Sequence, residues 1–187
     1  MKKVLGVSLL ALALTTTGCA TMELMKEPND YQSAYSRVTF TTDQYQGTRT
    51  YKSTAITLKD IKWGDTDFLM GQLSLTKKGD QESYCLLTLY NGENWSFFEK
   101  AFDVNQNELP LIKGNRRVGT MGNDVHINEQ SCISLRKDYL IKAANNGLDI
   151  KLVGQNKNMI IKVQPYFIKS FLDAIEYSEK TRFSKAP

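Results

Sequence analysis

The run Phe68-Leu69-Met70-Gly71-Gln72-Leu73-Ser74-Leu75-Thr76 decides the fold class. Leu69, Gly71, Leu73 and Leu75 share one parity, and Gln72, Ser74 and Thr76 occupy the other. A side-chain period of two is that of a strand with one face buried. Lys77-Lys78-Gly79-Asp80 follows with the chemistry of a hairpin turn. Ser83 to Tyr90 returns as a second strand, with Cys85, Leu87 and Leu89 on one face. Asn91-Gly92 is a turn signal, and a short strand is expected from Trp95 to Phe98.

Outward from this hairpin, Thr48 to Leu58 carries Tyr51, Thr54, Ile56 and Leu58 in partial alternation. Arg116–Met121 and Asp124–Ile127 are weaker strands around Gly122-Asn123. The last third changes period. Leu135 to Asn145 reads as a helix, ended by Asn146-Gly147 because glycine fits the left-handed position after a helix. Leu148–Val153 and Met159–Val163 alternate as strands about a turn at Gly154–Asn158. Pro165 suits a first helical position, and Phe167, Ile168, Phe171, Leu172 and Ile175 form an apolar stripe behind it. From Ser178 the chain is polar and expected to fray. The expected fold is α+β: an antiparallel sheet with a C-terminal helix-hairpin-helix packed on one face. A β-sandwich is the alternative should Leu135–Asn145 not be helical.

The amino terminus has a different logic. Lys2 and Lys3 precede an apolar run from Val4 to Leu14, the length of an export signal's core and too short to span a bilayer. Thr15, Thr16, Thr17 and Gly18 then lead to Cys19. This order resembles the bacterial lipoprotein signal, whose box reads Leu-(Ala/Ser/Thr)-(Gly/Ala)-Cys. Thr17, Gly18 and Cys19 match it, and Thr16 stands where leucine is commonest. The resemblance implies that residues 1–18 are removed and that Cys19 carries the lipid. Two or more acyl chains anchor a protein stably. Ala20 and Thr21 follow, not the Asp that signals inner-membrane retention, so the resemblance implies the outer membrane and its periplasmic face. Residues 19–30 are then a lipidated tether, with turn chemistry at Pro28-Asn29-Asp30. Residues 31–180 form a single globular domain and 181–187 a polar tail.

Lys2 and Lys3 leave with the signal, which takes two units off the formal charge of +4. With no concentrated basic footprint, nucleic-acid binding is not expected. Cys85 and Cys132 remain as an even pair in an oxidising compartment, which reads as a disulfide. The single histidine, His126, lies between Val125 and Ile127 in a strand-like stretch and reads as structural. There is no Gly-x-Ser-x-Gly elbow, no phosphate loop and no zinc set. Asp103-Val104-Asn105-Gln106-Asn107 opens like a calcium loop, but Glu108 and Gly114 stand where that loop needs glycine and glutamate. No cofactor and no catalytic residue is assigned. On a strand Trp95 and Phe97 share a face and Phe98 opposes them, so one side builds core and the other offers a patch; Trp95 and Phe98, with Trp63 beside Gly64 as a second place, are the candidate partner surface. The expectation is a non-enzymatic module that binds another envelope component, most simply a protein. The alternatives are a carrier of a lipid or small apolar ligand, or a wall or polysaccharide hydrolase.

Overall fold

The alternation at 68–76 is realised as a long strand whose Leu69, Leu73 and Leu75 are shut off from water. The computed structural model describes residues 27–58, 67–121 and 124–182. The elements are α1 (Tyr31–Ser36), β1 (Thr39–Asp43), β2 (Thr48–Lys52), β3 (Ile56–Thr57), β4 (Phe68–Lys78), β5 (Gln81–Gly92), β6 (Phe98–Asp103), β7 (Glu108–Leu109), β8 (Leu111–Met121), β9 (Asp124–Leu135), α2 (Lys137–Asn146), β10 (Leu148–Gly154), β11 (Asn158–Val163) and α3 (Pro165–Arg182).

Two antiparallel sheets result. The larger runs β1-β2-β4-β5-β9-β8, with β3 also paired to β4; the smaller runs β11-β10-β6-β7. Register decides the faces. Leu73 lies opposite Leu86, and Leu86 opposite Ile133; Leu75 lies opposite Tyr84, and Tyr84 opposite Leu135. That parity is the buried one, so Cys85, Leu87 and Leu89 take the outer face. Leu152 and Ile161 from the smaller sheet, Leu140 from α2 and Phe167, Ile168 and Phe171 from α3 join the same core cluster.

The sandwich alternative fits this arrangement better than one sheet with a helix-hairpin-helix on it. The β10–β11 hairpin is knit to β6 (Leu152 opposite Ala101), which makes it part of a second sheet. Three further expectations change. The Trp95–Phe98 strand begins only at Phe98. The C-terminal helix continues to Arg182, so the start of the expected tail is helical. The tether does not extend to residue 30. Pro28 is buried, its carbonyl accepts from the Tyr166 hydroxyl at 2.9 Å, and Glu27 accepts from the Thr57 amide at 2.6 Å. Asp30 caps α1 through the Ser33 amide at 2.7 Å, which holds its carboxyl below the usual range.

At the far end α3 is fastened to the large sheet by charge. Glu179 meets Lys77 at 2.9 Å and Arg49 at 3.4 Å, and accepts from the Tyr51 hydroxyl. Lys77 also pairs with Glu82 at 3.0 Å, and Glu82 with Lys137 at the start of α2 at 3.0 Å. Burial opposes ionisation of both carboxyls. The Tyr51 and Lys77 hydrogen bonds at Glu179, and those from Lys77 and Lys137 at Glu82, outweigh it and lower both. A lowered carboxyl contributes stability above its unfolded pKa of about 4.3 and loses it as pH falls through the folded value. Burial and the carboxylate partners push the Tyr51 and Tyr31 phenols up to about 12. A raised phenol stabilises the fold below about pH 10 and ceases to as pH rises through the folded value. Stability should therefore be flat through neutrality, fall below about pH 4 and fall again between roughly pH 10 and 12. Denaturant midpoints against pH check this. A Glu179→Gln variant that keeps the full acid limb would refute the assignment.

Candidate functional site

The disulfide pair comes together. Cys85 and Cys132 are bonded, with Cα atoms 5.7 Å apart, across the outer face of β5 and β9. Cys19 and Trp63, expected as lipid site and partner surface, lie outside the described residues.

The segment between β5 and β6 is where geometry departs from routine. Glu129 stands opposite Tyr90 on the inner face and is 4% exposed. One of its carboxylate oxygens accepts the amides of Ser96 and Phe97, the latter at 3.0 Å. The other accepts Arg116 Nε at 3.3 Å. Two backbone donors and a guanidinium thus satisfy a charge that could not otherwise be buried. Phe97 is held at φ 52°, in the left-handed region that a bulky residue seldom occupies. Burial still alternates through this turn, with Ser96 and Phe98 buried and Trp95 and Phe97 half-buried. Phe98, proposed above as partner surface, instead points inward: it is 4% exposed and meets the Tyr90 ring edge-on at 5.6 Å.

Trp95 and Phe97 are both half-buried, with ring centroids 5.9 Å apart, and Trp95 also packs against the core cluster. The Arg116 guanidinium lies over the Phe97 ring at 4.8 Å, within cation–π range. The result is a ladder of Trp95, Phe97 and Arg116. The β10–β11 turn braces it: Asn156 Nδ2 donates to the Trp95 carbonyl at 2.8 Å and the Gln155 amide to the Phe97 carbonyl at 3.3 Å. Lys157 pairs with Asp67 and sits 5.6 Å from the Tyr90 ring. Residue order alone could have flagged Trp95. Phe97 shares its parity, and Arg116 needed the β8–β9 register, which sets it opposite Glu129.

Two concavities accompany the ladder. A cleft of about 670 Å³ opens between β3 and β11, with Thr57, Ile160, Lys162, Gln164 and Tyr166 on its walls. A shallower groove of about 380 Å³ follows the outer face of the large sheet past Met70, Leu87, Leu89 and Cys132. His126 stands on the β8–β9 hairpin opposite Gly119, and its Nδ1 has no hydrogen-bond partner among the described residues. Asp103 turns its carboxylate on the amides of Asn105 and Asn107, both at 2.9 Å, and on the Asn107 side chain, so the calcium-like stretch closes on itself. Among the described residues no three of His, Cys, Asp and Glu gather as a metal set, and no helix is long and apolar enough to cross a membrane. Comparison with family models, with curated proteins and with solved structures returned no match.

Proposed function

We propose that this chain is a lipoprotein anchored through Cys19 at the periplasmic face of the outer membrane. It acts as a non-enzymatic binding module for another envelope component, with the Trp95–Phe97–Arg116 ladder as its contact surface. The observation that carries this reading is the employment of Glu129. A buried carboxylate is expensive, and this one is given over to holding a surface loop with Phe97 in a left-handed conformation. Backbone strain of this kind gathers at binding sites.

The test is a crosslinked pull-down of the tagged, lipidated protein from intact cells. Paired Trp95→Ala and Phe97→Ala substitutions should remove the captured component while the disulfide and circular dichroism stay unchanged. Undiminished capture by that variant would exclude the ladder as the contact. The 670 Å³ cleft favours one second reading, a carrier. Its walls mix Thr57, Lys162 and Gln164 with Ile56, Ile160 and Phe167, which suits an amphiphile. Native mass spectrometry of envelope-purified protein would reveal such cargo.

A further inference from the structure

We infer that the cleft between β3 and β11 receives an extended segment of a partner protein, which adds to the free edge of β11 as a further strand. The choice of a protein as occupant rests on the reading of the ladder just given, and one turn joins the two places. Gln155 and Asn156 hold the Phe97 and Trp95 carbonyls, and Lys157 and Asn158 begin the cleft wall.

β11 ends the small sheet and pairs on one side only, with β10. At their turn the Gly154 amide donates to the Lys157 carbonyl at 3.0 Å, which makes these two a bonded pair. Antiparallel pairs alternate between bonded and non-bonded. Met159 and Ile161 are therefore bonded to β10, while Asn158, Ile160 and Lys162 turn their amides and carbonyls away from it. Those three residues line the cleft of about 670 Å³. Among the described residues nothing bonds the Ile160 and Lys162 backbone on that side. Across the cleft, β3 shows a similar edge with an acceptor already in place. The Leu58 amide donates to the Leu69 carbonyl at 2.7 Å, so Thr57 faces away from β4, and the Thr57 amide donates to the Glu27 carboxylate at 2.6 Å.

Exposed strand edges are usually guarded. β8 is broken by a register shift between Lys113 and Arg116, and β7 is two residues long and stops at Pro110. β1 is unbroken, but Phe40 alone of its five residues is even half-buried, so a strand added there would bury little. β11 keeps register over six residues, a run of about 20 Å, and alternates exposed and buried throughout. Ile56, Leu58, Met159 and Phe167 give the cleft its apolar lining. The charged side chains in its walls are engaged: Lys162 with Asp149 at 3.5 Å, Lys157 with Asp67, and Glu27 with Thr57. A phosphate headgroup would have to break one of these pairs. Backbone donors and acceptors at strand spacing, beside apolar side chains, are the recognition elements of strand addition. The occupant is therefore an uncharged run with apolar residues at alternate positions.

The experiment titrates the lipidated, isotope-labelled protein in micelles with a neutral hexapeptide of alternating valine and threonine, capped at both ends. Amide exchange is followed residue by residue. The Ile160 and Lys162 amides should slow roughly tenfold when the peptide saturates the edge, and the Met159 and Ile161 amides, already bonded to β10, should not change. Ile160→Pro removes one outward N–H and leaves the pairing with β10 intact, so it should abolish the effect while circular dichroism is unchanged. Unaltered exchange at Ile160 and Lys162 overturns the inference, and the Trp95→Ala, Phe97→Ala pull-down then judges the ladder by itself. Amides that are slow before any peptide is added mean that the chain covers its own edge, which also overturns it. Slowing produced by a lysophospholipid and not by the peptide assigns the cleft to an amphiphile instead. Peptide binding together with undiminished capture by the Trp95→Ala, Phe97→Ala variant keeps the edge and removes the ladder.

Discussion

Reduction of the Cys85–Cys132 bond, or replacement of both cysteines by alanine, should cost about 4 kcal/mol and lower Tm by roughly 8–16 °C. The value comes from the unfolded chain. The two cysteines are 47 positions apart, and the loop entropy released when the link is cut scales with the logarithm of that separation. Native structure does not need the bond to align its strands. β5 and β9 are already paired from Tyr84–Leu135 to Gly92–Ile127, and the cysteines cross that ladder on a diagonal: Cys85 faces Ser134 and Cys132 faces Leu87. The reduced protein should therefore keep its far-ultraviolet spectrum and unfold at lower denaturant. Denaturant titration with and without reductant reads this directly. A change below about 1 kcal/mol would mean that the unfolded chain is already constrained across that loop by residual structure.

The core hairpin was legible because its side chains obey one rule. Leu69, Leu73 and Leu75 face inward without exception, so period two shows through. The lower half of β9 was not legible, for a physical reason. Its inner face reads Ile127, Glu129, Ser131, Ile133, Leu135, and two of the five are polar. Ser131 is tolerated there because its hydroxyl meets Thr88 Oγ1 at 2.6 Å, and Glu129 because it holds the loop. Both partners come from β5 and its following loop, so no local window could predict their burial. The second sheet was hidden in the same way. Leu148–Val153 alternates clearly, but whether its free edge pairs with β6 or packs under helices is a long-range matter. α1 is six residues long and carries one buried residue, Ala34, too little for a helical stripe. At the site, the aromatic cluster and its alternation were visible, and the assignment of Phe98 to the outer surface was wrong. Phe98 takes the inner parity, and the outer one falls to Phe97 at φ 52°.

That residue leads to the other large effect. Glu129→Ala should cost about 3 kcal/mol, because two amides at a buried acceptor and one guanidinium lose their partner together. The full sum of those losses should not appear. The loop can swing into water, where the Ser96 and Phe97 amides are solvated and Phe97 recovers the order of 1 kcal/mol spent on its positive φ. Swinging out dismantles the ladder, so stability and surface fall together in this variant. Glu129→Gln keeps an acceptor oxygen and should lose less than half as much, since it forfeits the charge assistance and not the geometry. Phe97→Gly separates the two roles. Glycine takes φ 52° without strain, so stability should change by less than about 1 kcal/mol while the Arg116 stack and the Trp95 contact vanish. Denaturation curves together with Trp95 emission, in the Trp63→Phe background, distinguish the three. Glu129→Ala should redden that emission and shift the midpoint, and Phe97→Gly should affect the emission alone. An unshifted midpoint in Glu129→Ala would mean that the carboxylate does not hold the loop, and the ladder would lose its claim to be a built surface.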